Sequence, residues 1–170
     1  MDVKKGGVMK KVIGIYVSVV AVVLVVFVGC ATTPQAVGEP MLVQRVIEAG
    51  GTQDDLYRMA NEWMAKTFVA SSEVIQYQDK EEGVIVGRGL TDQKFGWATA
   101  DIWYNMKVEV KQNRARVTID TVYGELTVID ETSTLQSKDF GQKEYDELKA
   151  KFNTMIDDFS AYMKQESEEW

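Results

Sequence analysis

Few side chains in this chain can do chemistry, and their types narrow the reactions open to it. There is no histidine, and Cys30 is the one cysteine. That removes His-based triads, Cys–His nucleophiles, imidazole or thiolate zinc sites and internal disulfides. Carboxylates, lysines, tyrosines and hydroxyls remain. Asp101, Asp120 and Glu125 are placed so that neighbouring strands could bring them together, and paired carboxylates can do general acid–base work, as in glycoside hydrolysis. Surface carboxylates are common, and a solvated strand face is the better reading of the same three residues. Asp79, Glu81 and Glu82 precede Gly83, but a calcium cage needs about six to eight oxygens, so a hydrated turn is the better reading. Asp157 and Asp158, with Glu166, Glu168 and Glu169 at the end, read as a wet helix face and tail. We assign no catalytic residue, metal ligand or cofactor.

Cys30 carries a different chemistry. Ahead of it runs an apolar stretch, Val12 to Gly29, preceded by Lys4, Lys5, Lys10 and Lys11. A basic start, an apolar core and a small residue before a cut site make a secretory signal. As an uncleaved helix its 18 residues lie at the short end of the roughly 17–25 that cross a bilayer. Phe27-Val28-Gly29-Cys30 resembles the bacterial lipobox, with Phe27 where Leu is usual. Cleavage there leaves a cysteine acylated on sulfur as the new N-terminus. One acyl chain holds weakly, whereas two or three give stable anchoring at about 0.8 kcal/mol per buried methylene. Ala31, not Asp, follows the cysteine, which by the enterobacterial sorting rule implies the outer membrane. The expected organisation is a signal peptide over 1–29, an acylated cysteine and tether over 30–40, and one domain over 41–170. The alternative is a span with a buried thiol.

Without residues 1–29 the chain has 141 residues, enough for one core. It then carries 15 basic against 25 acidic side chains, a net charge of −10. Such a surface repels phosphate backbones, so nucleic acid is not an expected partner.

The elements must now be placed. Ala31 to Pro40 holds both prolines and reads as a tether of at most roughly 35 Å. Met41 to Ala49 is short and β-branched, as a first strand should be. Gly50-Gly51 ends it, and Thr52 caps a helix, with Asp55 completing a capping-box variant. Leu56, Ala60, Trp63, Met64, Thr67 and Phe68 recur at helical spacing, while Tyr57, Arg58, Asn61, Glu62 and Lys66 fall largely elsewhere. Ser72 to Leu90 reads as a hairpin around Glu81-Glu82-Gly83, with Gly83 left-handed. That register pairs Lys80 with Val84 and sets Tyr77 over Gly87 and Ile75 over Gly89, a ring filling the gap left by a bare glycine. Gly87-Arg88-Gly89 is no phosphate loop, since no helix start follows it.

Ile102, Tyr104, Met106, Val108 and Val110 alternate with Trp103, Asn105, Lys107, Glu109 and Lys111, the period of a sheet with one buried face. A two-residue turn at Gln112-Asn113 sets Val108 against Val117, Met106 against Ile119 and Glu109 against Arg116. Both faces agree in that register. Leu126 to Ile129 extends the sheet past a bulge or ends it, and ETSTLQSKD reads as loop. From Gln142, Tyr145, Leu148, Phe152, Met155, Phe159 and Tyr162 mark a second helix. The fold class is α+β: an antiparallel five-stranded sheet, ordered β-α-β-β-β-β-α, with both helices on one face.

Leu56-Tyr57, Ala60-Asn61-Glu62-Trp63, Val74-Ile75-Gln76-Tyr77, Asp79-Lys80-Glu81-Glu82-Gly83 and Ile85-Val86-Gly87 together resemble an uncharacterised family of bacterial exported proteins. That family is a domain of unknown function with a fold like the TATA-binding protein, and the resemblance is specific over about residues 41–90. It implies a curved antiparallel sheet backed by helices. It implies no activity and no site residues, and a shared fold with a DNA binder does not carry DNA binding with it.

Trp97 and Trp103 share the parity of the more polar sheet face with Lys107, Glu109 and Arg116. Trp, Tyr and Arg are favoured at binding hot spots, so Trp97, Trp103, Lys107 and Arg116 form a candidate docking surface unless 124–139 folds over the tryptophans. The expectation is a noncatalytic, lipid-anchored lipoprotein of the bacterial cell envelope that docks an envelope protein or polymer. A carboxylate-dependent hydrolase of envelope glycans is the alternative. Membership of a larger assembly is a third, for which an apolar patch on the outer sheet face would be the sign.

Overall fold

A computed structural model describes residues 36–68, 75–128 and 131–165. The anchor segment, Cys30, the first half of the tether and the tail from 166 lie outside the described residues. The elements are β1 (Val43–Glu48), α1 (Gln53–Thr67), β2 (Ile75–Asp79), β3 (Val84–Phe95), β4 (Ala98–Lys111), β5 (Arg114–Val128), β6 (Glu131–Gln136), a 3-10 turn (Ser137–Asp139) and α2 (Gln142–Gln165). The strands form one antiparallel sheet in the order β1-β5-β4-β3-β2, with β6 also on β5.

The expected hairpin register holds: Val108 pairs Val117, Met106 pairs Ile119 and Glu109 pairs Arg116. Asn113, at φ 63°, supplies the left-handed residue that a two-residue turn needs. Ile102, Tyr104, Met106, Val108 and Val110 are all buried. Against them pack Leu56, Ala60, Trp63 and Met64 of α1 and Leu148, Phe152, Ile156 and Phe159 of α2. Trp63 meets Phe159 edge-on at 5.0 Å, and Tyr104 meets Phe152 at 4.8 Å. Burial pushes the Tyr104 hydroxyl well above its usual pKa. Thr52 caps α1 as expected, its hydroxyl oxygen accepting the Asp55 N–H at 3.2 Å. Tyr57 and Met59 are buried too, so the apolar arc of α1 is wider than the helical spacing implied. One side of that arc faces the sheet and the other faces α2.

The β2–β3 hairpin differs from expectation by one register step. Asp79, not Lys80, pairs with Val84, so Tyr77 lies opposite Val86 and Ile75 opposite Gly87 across a bulge. The turn is longer because the Asp79 carboxylate accepts the Glu82 N–H at 3.0 Å and closes it as a side-chain-capped loop. Gly83 is left-handed at φ 68°, and a Cβ there would lie 2.5 Å from the Val110 carbonyl oxygen. The ring over a glycine exists, but it is Tyr104 over Gly89, contributed by β4 rather than β2.

The sheet has six strands, because Glu131–Gln136, expected as loop, pairs along Leu126 and its neighbours. Its side chains are exposed apart from half-buried Leu135. An edge strand of Thr and Ser is held by its backbone ladder, which leaves almost no hydropathy signal. The chain is fastened before Met41: the Val37 N–H donates to the Phe140 carbonyl at 3.0 Å and that of Gly38 to Lys138 at 2.8 Å.

Gly89→Ala should lower the unfolding free energy by about 1–3 kcal/mol, the range for forcing extra volume into a packed core, as read from urea midpoints. In a Tyr104→Leu background, itself less stable for loss of the Phe152 contact, Gly89→Ala should cost less than in the parent chain; an unchanged cost would mean that the ring is not what the new methyl meets.

Candidate docking face

Residues paired across an antiparallel ladder share a face, so the outer side of the sheet can be read row by row. One row is Leu90, Trp103 and Tyr123; the next is Arg88, Asn105 and Asp120. Further along come Val86, Lys107 and Thr118, then Val84, Glu109 and Arg116. Tyr123 reaches this face only because β5 bulges between its pairings with Asn105 and Trp103. Thr121 sits there at φ 52°, an uncommon conformation for a β-branched residue. The extra residue inverts the alternation, turning Tyr123 outward while Val122 stays in the core.

At the centre of the face the Arg88 guanidinium lies 4.2 Å from the Trp103 ring centroid and 5.7 Å from that of Tyr123, and it donates to the Tyr123 hydroxyl. A cation over two rings contributes about 0.5–2 kcal/mol, more as water is excluded. What shields Trp103 is therefore Arg88 of β3. The segment 124–139 instead extends the sheet sideways as the end of β5 and as β6.

Three of the four expected docking residues, Trp103, Lys107 and Arg116, lie on this face. Trp97 lies at its end, in the β3–β4 turn, and is 86 % exposed. Lys107 and Arg116 converge on Glu109, at 3.1 and 2.8 Å. The hydrogen bond from Arg116 is the main cause that holds the Glu109 carboxyl below its usual range; desolvation opposes it, and Lys107 adds to the lowering. This cluster borders a shallow recess of about 350 Å³ lined by Val46, Val84, Glu109 and Arg116 among others. The four residues thus form a strip along the strands and do not converge on one centre.

Among the carboxylates, Asp101 and Glu125 are ladder partners, but Asp120 pairs with Asn105, roughly 13 Å along the strand at about 3.3 Å per residue. The trio does not assemble. Asp101 is exposed, and the pair lies on the sheet face rather than in either recess described among these residues. At the hairpin tip the turn uses the Asp79 carboxylate, which accepts the Glu82 N–H and the Tyr77 hydroxyl. The Glu82 backbone bond is the larger cause of its lowered pKa.

Sequence reasoning missed Arg88, Tyr123, Leu90 and Tyr77. Arg88 and Leu90 were within reach, since they alternate with Gly87 and Gly89. Tyr123 was not, because its direction depends on the bulge.

Glu109→Gln should flatten the pH dependence of urea stability in acid. Because its folded pKa is depressed, Glu109 contributes fully above its ordinary value of 4.5, and that contribution is lost as the pH falls through the lower folded value. Identical acid profiles for the variant and the parent chain would refute this.

Residues 44–123 match the family described as a domain of unknown function (DUF4468) with TBP-like fold. A crystal structure of a TBP-like protein from Parabacteroides distasonis superposes with a TM-score of 0.60 at 11% identity, over 74% of this chain and 95% of that one. A DUF4468 family protein from Bacteroides ovatus gives 0.49 at 15% identity, over 76% and 86%. No curated protein matches the sequence. The antiparallel sheet, the two helices on one side and the matched stretch agree: residues 44–123 of this chain are a DUF4468 domain with a TBP-like fold.

Proposed function

We propose that this protein is a noncatalytic interaction module of the bacterial cell envelope. It is held at the outer membrane by acyl chains, such as palmitate, on Cys30, and docks an envelope protein or polymer on its outer sheet face. One observation carries the docking reading. The exposed large hydrophobic side chains among the described residues are Leu42, Val46, Tyr77, Leu90 and Trp97. By ladder pairing or alternation the first four lie on the helix-free face, and Trp97 lies at its end. Scattered exposed apolar residues are ordinary, but their confinement to one face around an Arg–Trp–Tyr stack is the composition of a recognition surface. The anchor reading is supported by the basic start, the apolar stretch and the small residue before Cys30.

Two measurements test these halves separately. Mass spectrometry should find a mature chain beginning at acylated Cys30, and Cys30→Ser should take up no labelled palmitate and should retain residues 1–29. A native chain that starts at Met1 with a free thiol would end the anchor reading. A tagged chain should recover a partner from solubilised envelopes, and Tyr77→Glu with Leu90→Glu should cut recovery at least tenfold without moving the melting midpoint. Undiminished recovery would end the docking reading.

A further inference from the structure

We infer that the indole of Trp97 sits in the headgroup layer of the membrane that carries Cys30, so that the domain stands with its β3–β4 turn against the lipid. This rests on the anchor half of the reading above and adds a second contact with the same membrane.

The chain enters the domain at the end of the sheet that bears this turn. Ala36 pairs with Gly141 in an isolated β-bridge, and the Val37 N–H donates to the Phe140 carbonyl. The Phe140 ring lies 5.1 Å from that of Phe95, the last residue of β3, and Gly96 and Trp97 follow it. Six Cα steps separate Cys30 from Ala36, so an acylated cysteine stays within roughly 22 Å of the domain at about 3.6 Å per step. The opposite end of the sheet, at Gln112-Asn113, is farther off, since the 14 residues of β4 span roughly 45 Å at about 3.3 Å each. The tether therefore brings the Trp97 end to the lipid without being drawn taut, whereas the far turn meets the lipid only if the domain lies flat.

The tip suits a lipid interface. Gly96, at φ 61°, makes with Trp97 the two-residue turn between paired Phe95 and Ala98, and glycine in the first place is what such a turn takes. The turn leaves Trp97 86 % exposed, more than any other large hydrophobic side chain among the described residues. No charge lies between Phe95 and Ala98, so the tip enters a headgroup layer without desolvating an ion. Trp concentrates at membrane–water boundaries, where its ring is taken up and its N–H stays hydrogen-bonded. The outer sheet face offers no such entry, because Asp92, Asp101, Glu109 and Asp120 are spread among its apolar side chains. Charge does not supply the attraction either: near the turn Lys94 and Lys143 are outnumbered by Asp92, Asp101, Glu125, Glu131 and Glu144. One indole is a weak ligand for a bilayer, but the anchor makes its contact intramolecular, and a weak contact then suffices.

The test uses the mature acylated chain, purified from its membranes and returned to phosphatidylcholine vesicles. Flotation with the vesicles reads the anchor. Phosphatidylcholine brominated near its headgroup should quench by at least half the fluorescence that Trp97 contributes, taken as the difference between the parent chain and Trp97→Phe, which keeps a ring in the turn. Gln112→Trp in the Trp97→Phe background, exposed at the far turn, should add fluorescence that escapes the quenching. Because acidic side chains predominate near the tip, replacing part of the lipid by anionic phosphatidylglycerol should not increase the effect. A chain that floats while its Trp97 fluorescence is undiminished overturns the inference and leaves the anchor standing. Equal quenching at Gln112→Trp, or quenching that needs anionic lipid, also overturns it. A chain that does not float ends the anchor reading, and this inference with it.

Discussion

The ladder between β4 and β5 is the constraint on which this structure depends. A strand has period two, so a single residue of slip would send Met106, Val108, Val117 and Ile119 to solvent and Lys107, Glu109 and Arg116 into the core. Burial makes that slip prohibitive, since each large apolar side chain contributes about 1.5–3 kcal/mol. On the other edge of β4, β3 pairs in its own register, which sets Gly89 opposite Tyr104 and under its ring.

The helices act on one face only, and polar contacts at their rims set their position. Arg45 of β1 reaches Asp157 and Asn153 of α2. Gln93 of β3 is buried and donates to Glu147 at 2.9 Å. Between the helices the Tyr162 hydroxyl accepts from Lys66 and donates to Glu62, at 3.2 and 3.1 Å. The exposed Arg45–Asp157 pair contributes little by itself; the Trp63–Phe159 contact joins the two helices and the Tyr104–Phe152 contact joins α2 to the sheet.

With its helices committed to one side, the sheet keeps an apolar and aromatic surface on the other. The stack of Arg88 on Trp103 and Tyr123 is an intermediate solution: it covers part of two large rings while keeping a charge at the surface. A fully polar face would be soluble without it, and a fully apolar one would aggregate.

The outward placement of Trp103, Lys107 and Arg116, the capped first helix, the central hairpin register and the left-handed Gly83 were legible in the sequence. Each rests on a local pattern: helical spacing, strict alternation, or a residue type with one conformational use. β6 was not, because Thr and Ser on an edge strand bury almost nothing. The β2–β3 register was not, because an Asp79 carboxylate bond lengthened the turn.

What the amino-acid sequence determined by itself is the two-sidedness of the sheet and the types of residue on each side, because alternation is a property of the chain alone. What only the tertiary structure decided is which of those residues meet. Thr121 turns Tyr123 outward, Arg88 crosses from a neighbouring strand to lie over Trp103, and Asp120 pairs four residues along β4 from Asp101. Each of these depends on how neighbouring strands are offset, and in β5 one extra residue sets that offset.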